Sequence, residues 1–444
     1  MARIHESCFG IAFTLTLFIQ LMSFVGCSRV HRPGQNSAII TVGHENADIT
    51  GDDNNAIQKA IERAVAAGGG TVLIKAGTYM LSNSVRLASH VTLEGEGTEK
   101  TILKQCPHVE SRVTIDADGT EAQATVQDTS GFKPGMGVVV YDHGPWQGNY
   151  PNVRTVERIE GPTLFFDGIL EIDHAAAQSA KASNCFPLIA GFNLEDAHLS
   201  NLTVEGNRSG GEDEGDLHVV DPSAILFFHA KNFSVRGVTA RNYVGDGIST
   251  WYVEDPTIEE CESYGNAGLG IHLGSIALRG QVRHNRSYNN HLDGLYLCWS
   301  VRGGTFEENA CTHNDGDGIS IGHKDTDNVF VKNVVRENGK AGVYFRDEPQ
   351  TTAGHRNTFR ENVIENNGRL APPGYGVRID GATQHITLVS NTIGDTREGN
   401  QASQHVGVYV GPHADYVICE HNNLSGNLQR KIDDKSTGGH NKFE

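Results

Sequence analysis

The sequence is poor in the residues that large hydrophobic cores and cationic surfaces are made of. Aromatic residues make up 7%, prolines number 13 against 52 glycines, and the net charge is −18. No concentrated basic face is present, which excludes a partner whose phosphates would have to be neutralised along a groove. None of the cysteines forms a Cys-x-x-Cys pair, which argues against a zinc site. The uncharged run Phe9 to Val25 is short for a membrane span but fits the apolar part of an export signal. What the chain has in quantity is glycine and asparagine, both at regular spacing.

Five segments share one shape: Gly245–Thr250, Gly268–Leu273, Leu292–Leu297, Gly316–Ile321 and Lys340–Phe345. Their marker glycines, Gly247, Gly270, Gly294, Gly318 and Gly342, are 23, 24, 24 and 24 residues apart, and weaker copies follow at Gly376 and Gly407. A fixed period of this length is the mark of a solenoid. Asn266, Asn290, Asn314 and Asn338 each stand four residues before a glycine. Asn285, Asn309 and Asn333 stand nine before, with Cys261 in the first copy's place. Asparagine tolerates the left-handed backbone of a tight corner, and stacked amides can bond along a column. The runs between are short, β-branched or aromatic, and alternate in side, with no helical periodicity. The expected fold is all-β, a parallel β-helix whose rungs stack about 4.8 Å apart.

Residues 1–27 read as a signal peptide ending in Phe24-Val25-Gly26-Cys27, and 28–45 as a tether. Residues 46–104 read as a helical cap and first rungs. Asp52 to Asn55 offer N-caps before a face of Ile57, Ala60, Ile61 and Ala64, and Gly68-Gly69-Gly70 ends the helix. Residues 105–185 lose the period and read as an inserted β-rich subdomain, a flap beside the coil, with Cys106 and Cys185 placed to clasp its base or simply to fill rungs. The main coil spans 186–430, and 431–444 reads as a C-terminal tail. Gly210 to Asp216 is an acidic loop, read as solvated.

Asp52-Asp53-x-x-Ala56-Ile57-Gln58-x-Ala60-Ile61, Gly68-Gly69-Gly70-Thr71-Val72, Ala76-Gly77-Thr78-Tyr79 and Val91-Thr92-Leu93-Glu94-Gly95-Glu96-Gly97 together resemble the opening segment of the pectate-lyase-like superfamily. That resemblance implies a right-handed parallel β-helix, and a chemistry among polysaccharide lyases, family-28-type hydrolases, epimerases and tailspikes. Phe24 to Cys27 resembles a lipoprotein lipobox, which implies lipidation of Cys27 and an exported, membrane-anchored chain; ordinary cleavage would leave it secreted.

Counting from each glycine, positions +1 and +3 are apolar and face inward, so +2 faces out. The outward column is Ser249, His272, Tyr296, Ser320, Tyr344, Arg378 and Tyr409, with Trp251, Trp299, His323, Lys324, Arg346 and Asp347 at the strand's far end. Aromatics that stack on sugar rings and ions that bond their edges suit a polysaccharide groove. Trp251, His272, Tyr296, Trp299, His355, Arg356 and Arg378 are the expected substrate contacts. Exposed tryptophan without a partner would be costly.

For catalysis, an acidic-sugar lyase needs a base, charge neutralisers and a donor for the leaving oxygen. Lys324 or His323 would be the base, Arg346 and Arg356 the neutralisers, and Tyr344 or Tyr296 the donor. Asp325 and Asp327 could instead hold calcium, the one cofactor considered; the plain alternative is a salt-bridged corner. Asp293 and Asp317, on neighbouring rungs, would suit a hydrolase's carboxylate pair. Asp before Gly is also ordinary turn chemistry, and the Asp-Asp pair of family-28-type hydrolases is missing. The expectation is an exported monomer acting on a uronate-containing polysaccharide by β-elimination, with a hydrolase or a non-catalytic carbohydrate binder as alternatives.

Overall fold

The computed structural model describes residues 38–142, 152–208 and 223–444; the expected signal peptide, Cys27 and the acidic loop lie outside them. Each coil of the main repeat has three strands. In the coil that begins at Asp246 they are Asp246–Glu254, Thr257–Glu259 and Glu262–Tyr264. Stacking such coils generates three parallel sheets of 11, 14 and 10 strands among the described residues. The marker glycines stand one above another. The amides of Ile248, Ile271, Leu295 and Ile319 donate to the carbonyls of Gly270, Gly294, Gly318 and Gly342. A Cβ at Gly270 would fall within 2.7 Å of the Gly294 carbonyl, so glycine is the residue that allows this approach.

Both asparagine columns form ladders inside the coil. Nδ2 of one side chain donates to Oδ1 of the next, from Asn266 through Asn290, Asn314 and Asn338 to Asn367, at 3.0, 2.9, 3.0 and 3.0 Å. The second ladder runs Asn285, Asn309, Asn333, Asn362, Asn391, Asn422. Cys261 heads it by donating its backbone amide to Asn285 Oδ1. A third, Asn328 to Asn357 at 3.1 Å, stands at the remaining corner. Between the ladders apolar side chains stack in kind, as in Phe306, Phe330 and Phe359.

The coil is longer than its sequence period. Ile39–Gly43, expected in a tether, is a strand whose residues 39–42 pair with 71–74. At the other end Arg430–Asp434 pairs with Gln404–Val410, and Lys442–Phe443 pairs with Ile418–Cys419, so the expected tail is a last rung. The helix Asn54–Ala66 is capped by Asp53, whose carboxylate accepts from the Ala56 amide at 2.9 Å. Its buried face of Ile57, Ala60, Ile61 and Ala64 closes the first rungs. No helix among the described residues is long and apolar enough to cross a membrane.

The insertion is an antiparallel six-stranded sheet running from Glu110–Arg112 to Lys181–Ser183. Strand Gly137–Tyr141 joins it to the coil by alternation: Val138 and Val140 face its own core, while Val139 and Tyr141 face that of the coil. Cys106 and Cys185 are free, buried thiols, so of the two readings they fill space rather than clasp the base. Asn184 donates to the Cys106 sulfur, and Cys185 lies 3.6 Å from the Tyr243 hydroxyl.

Candidate functional site

The outward column stands in unbroken register. Ser249, His272, Tyr296, Ser320, Tyr344, Arg378 and Tyr409 are successive partners on one parallel sheet. Two positions further along each rung lies a second column, Trp251, Gly274, Cys298, Gly322 and Arg346, in which side chains alternate with glycine. The glycines make room. A Cβ at Gly322 would meet Arg346 Nε at 2.7 Å, and one at Gly274 would come within 3.0 Å of His272 Nε2.

Where the two columns meet, a cleft of about 320 Å³ opens. Its walls include Asp246, Trp251, His272, Asp293, Tyr296, Cys298, Trp299 and Lys340. His272 is 4% exposed and its Nδ1 lies 2.8 Å from Asp246 Oδ2, while Nε2 makes no hydrogen bond. Burial works against charge on this imidazole, but Asp246 and the neighbouring Cys298 outweigh it and bring its pKa up to about 10. The His272 ring lines the cleft while its Nε2 is buried. Its ring meets Tyr296 edge-on, and Arg346 covers Tyr296 with its guanidinium carbon 4.4 Å from the ring centroid. Burial holds the Tyr296 phenol in its protonated form, against the opposing pull of Arg346.

The expected residues divide into several groups. His272, Tyr296, Asp293 and Trp299 face the cleft together, and Trp299 is 57% exposed. Trp251 lines it too but is 6% exposed, packed with Leu226 and Phe228, so it does not need a ligand to cover it. His323 sits on the rim, stacked on Trp299, with Nε2 2.6 Å from Glu348. Arg346 lies behind the wall. Its Nη1 donates to Ser320 Oγ at 2.9 Å, and its Nη2 donates to the Leu297 carbonyl at 2.6 Å and reaches Asp325 at 3.4 Å.

Lys324, His355 and Arg356 line a different pocket with Arg302 and Asp327, so Lys324 is not beside the cleft residues it was expected to serve. Tyr344 lies under Arg378, which is shared with Tyr375 and Tyr409. The expected calcium pair is already engaged: Asp325 accepts from the amides of Val301 and Gly322, and Asp327 from Arg356 twice. No cluster of three metal-ligating side chains occurs among the described residues.

Asp246, Asp293 and Asp317 are structural, as the Asp-Gly reading allowed, but they bond the next coil rather than their own turn. One carboxylate oxygen of each accepts the amide of Leu269, Asp317 and Ala341 respectively, at 2.8, 2.6 and 2.7 Å. Burial, followed by the charge of Asp293, pushes Asp317 up to about 8. Sequence reasoning missed Asp246 as the partner of His272, and passed over Cys298 and Lys340. The signal was the second outward column, read only for its tryptophans and charged ends.

A family model described as rhamnogalacturonase A/epimerase, pectate lyase-like, matches residues 41–272, and a right-handed β-helix model matches 223–393. Mannuronan C5-epimerase AlgE5 of Azotobacter vinelandii is 24% identical over 305 residues, covering 67% of this chain but 21% of that protein, so the chain spans about a fifth of its curated relative. Among solved structures, the A-module of mannuronan C-5 epimerase AlgE6 from the same organism has a TM-score of 0.55 at 16% identity, covering 89% of this chain and 94% of that one. PfbA, a surface adhesin of Streptococcus pneumoniae, has a TM-score of 0.54 at 14% identity, covering 91% of each. At these identities the structural likenesses establish the right-handed β-helix and nothing narrower.

Proposed function

Because the chain belongs to the rhamnogalacturonase A/epimerase, pectate lyase-like family, we propose that it is an exported enzyme acting on a uronate-containing polysaccharide, with its reaction centre in the cleft of Tyr296 and His272. The relatives named for mannuronan, a polymer of uronic acid, support that substrate class. The reaction is proton abstraction from the carbon α to the sugar carboxylate. The resulting carbanion either takes a proton back on the other face, which is epimerisation, or expels the 4-oxygen, which is β-elimination.

Both outcomes make the same two demands. Charge delocalised onto the carboxylate has to be held, and a proton has to be supplied. The ammonium of Lys340, in the cleft wall with the His272 ring, meets the first. The Tyr296 hydroxyl, kept protonated by burial, meets the second. Arg346 positions Tyr296 from behind rather than touching the sugar. Exposed Trp299, stacked on His323 at the rim, suits a sugar face.

The observation that carries the reading is a buried histidine, backed by Asp246, whose ring meets a half-buried phenol in the wall of one cleft. The test is incubation of the protein with mannuronate and galacturonate polymers in heavy water. Deuterium entering C5 without chain cleavage marks an epimerase; a new ultraviolet-absorbing double bond marks a lyase. New reducing ends without either would support hydrolysis instead. Retention of the polymer with no chemical change would leave a carbohydrate-binding protein.

A further inference from the structure

The cleft contains a stabilised cation and a proton donor, and the remaining requirement is a proton acceptor. His272 already carries its proton, Tyr296 keeps its own, and Lys324 lies at the other pocket. One side chain in the wall is placed differently. Cys298 stands between two imidazoles, each of which has a carboxylate behind it. On one side is His272 with Asp246; on the other His323 brings Nδ1 to 3.7 Å from the sulfur, and its Nε2 lies 2.6 Å from Glu348. These five residues come from five successive coils, so only stacking assembles them.

We propose that Cys298 is the base of this cleft, a thiolate held between two carboxylate-backed imidazoles that takes the proton α to the uronate carboxylate. The inference rests on the uronate reading of the same site. In the step, the C5–H bond breaks and an S–H bond forms, and the electron pair left on C5 spreads into the carboxylate facing Lys340. Tyr296 then gives its proton to C5 or to the departing 4-oxygen. Solvent exchange of the thiol and phenol protons restores the starting state.

Independent features support the assignment. Nε2 of His272 is buried with no polar partner besides the Cys298 sulfur, both residues line the same cleft, and the glycine at 274 keeps that nitrogen uncrowded. Burial alone would raise the thiol's pKa, but His272 and His323, helped by Arg346, bring it to about 7. Asp325 and Asp293 oppose this as nearby carboxyls, and both are themselves pushed toward their neutral forms by burial. The other five described cysteines are all shifted the opposite way by burial.

The experiment uses the full chain and two readouts. Iodoacetamide labelling, followed peptide by peptide by mass spectrometry across pH 5–10, should modify Cys298 first, with a midpoint near about 7 that moves upward in His272→Gln. Deuterium entry into C5 of the polyuronate should fall at least about 100-fold in Cys298→Ser, with unchanged KM and melting temperature. A Cys298 profile like that of a free thiol, or wild-type deuterium entry in Cys298→Ser, overturns the role of the thiolate and leaves the uronate reading standing. No deuterium entry or elimination by the unmodified protein on either polymer overturns the uronate reading itself, and the base assignment with it.

Discussion

Two columns of the same coil have the same period and opposite character. Inside, Asn285, Asn309, Asn333 and Asn362 repeat one residue, and each Nδ2 both bonds the next amide and caps a carbonyl of the rung before. Outside, Ser249, His272, Tyr296, Ser320 and Tyr344 occupy equivalent places and change from serine to histidine to tyrosine from one rung to the next. Repetition is what a stack demands, because identical neighbours satisfy one another from both sides. Variation along a column therefore marks the rungs where the fold leaves the choice free and a ligand can set it. The cleft lies where variation is greatest, at His272, Tyr296 and Cys298, with glycines on either side in the second column.

The sharpest way to break this contrast is to change a varied position without touching the stack. Tyr296→Phe keeps the ring between His272 and Arg346 but removes the hydroxyl. Turnover of the polyuronate should drop by about 10²–10⁴ while the melting temperature stays as it was. Tyr344→Phe, in the same column but outside the cleft, should leave turnover unchanged. Equal losses in the two variants would mean that the wall works as a continuous surface rather than at one centre.

The converse substitution is Asn309→Ala. It removes the acceptor of the Asn285 amide and side chain and the donor to Val282, leaving buried groups unpaired. Chemical denaturation should show a loss of about 1–3 kcal/mol for each stranded group, with the deuterium exchange rate of the surviving folded protein unaltered. A ladder whose members could be removed without such a cost would not be the element that sets the register.

Much of this contrast was legible in the sequence because a solenoid writes its vertical neighbours at a fixed interval. The glycine and asparagine columns and the outward face follow from a spacing of 24, and the capping helix from its N-cap residues and apolar face. What escaped were features that depend on how far a side chain reaches. Arg346 and Lys324 are two coil positions apart in kind and were grouped as corner residues, yet one folds back over Gly322 and the other turns into a separate pocket. Cys298 looked like filler because a lone cysteine carries no signal until its histidines, 26 residues before and 25 after, are stacked around it. The outermost rungs lacked the marker glycine altogether and so passed for tether and tail.

Protonation separates the two columns a second time, with a smaller effect. Asp317, raised to about 8 by burial and by Asp293, binds its proton more tightly folded than unfolded. Its contribution to stability is complete below the unfolded value of about 4 and fades as pH rises through about 8. The protein should thus melt lower at pH 8 than at pH 5. Asp317→Asn keeps an acceptor for the Ala341 amide and should flatten that slope. A slope unchanged by the substitution would assign the pH dependence to other groups such as Asp325, which burial also raises, to about 7.

The smallest effect belongs to the corner beyond the wall. Arg356 and Asp327 form two hydrogen bonds at 2.7 and 2.9 Å, a geometry that suggests strength, but their side chains are 53% and 50% exposed. Water screens such a pair and ordering two long side chains costs entropy, so it contributes at most about 1 kcal/mol. Arg356→Ala should therefore shift the unfolding midpoint little, and less still in high salt. If the pocket of Arg302, Lys324 and Arg356 also holds a distant sugar carboxylate, the same variant would raise KM for long polyuronate chains and leave short ones unaffected. Equal KM values at every chain length would confine substrate contact to the varied column, and the corner would be ordinary solvated surface.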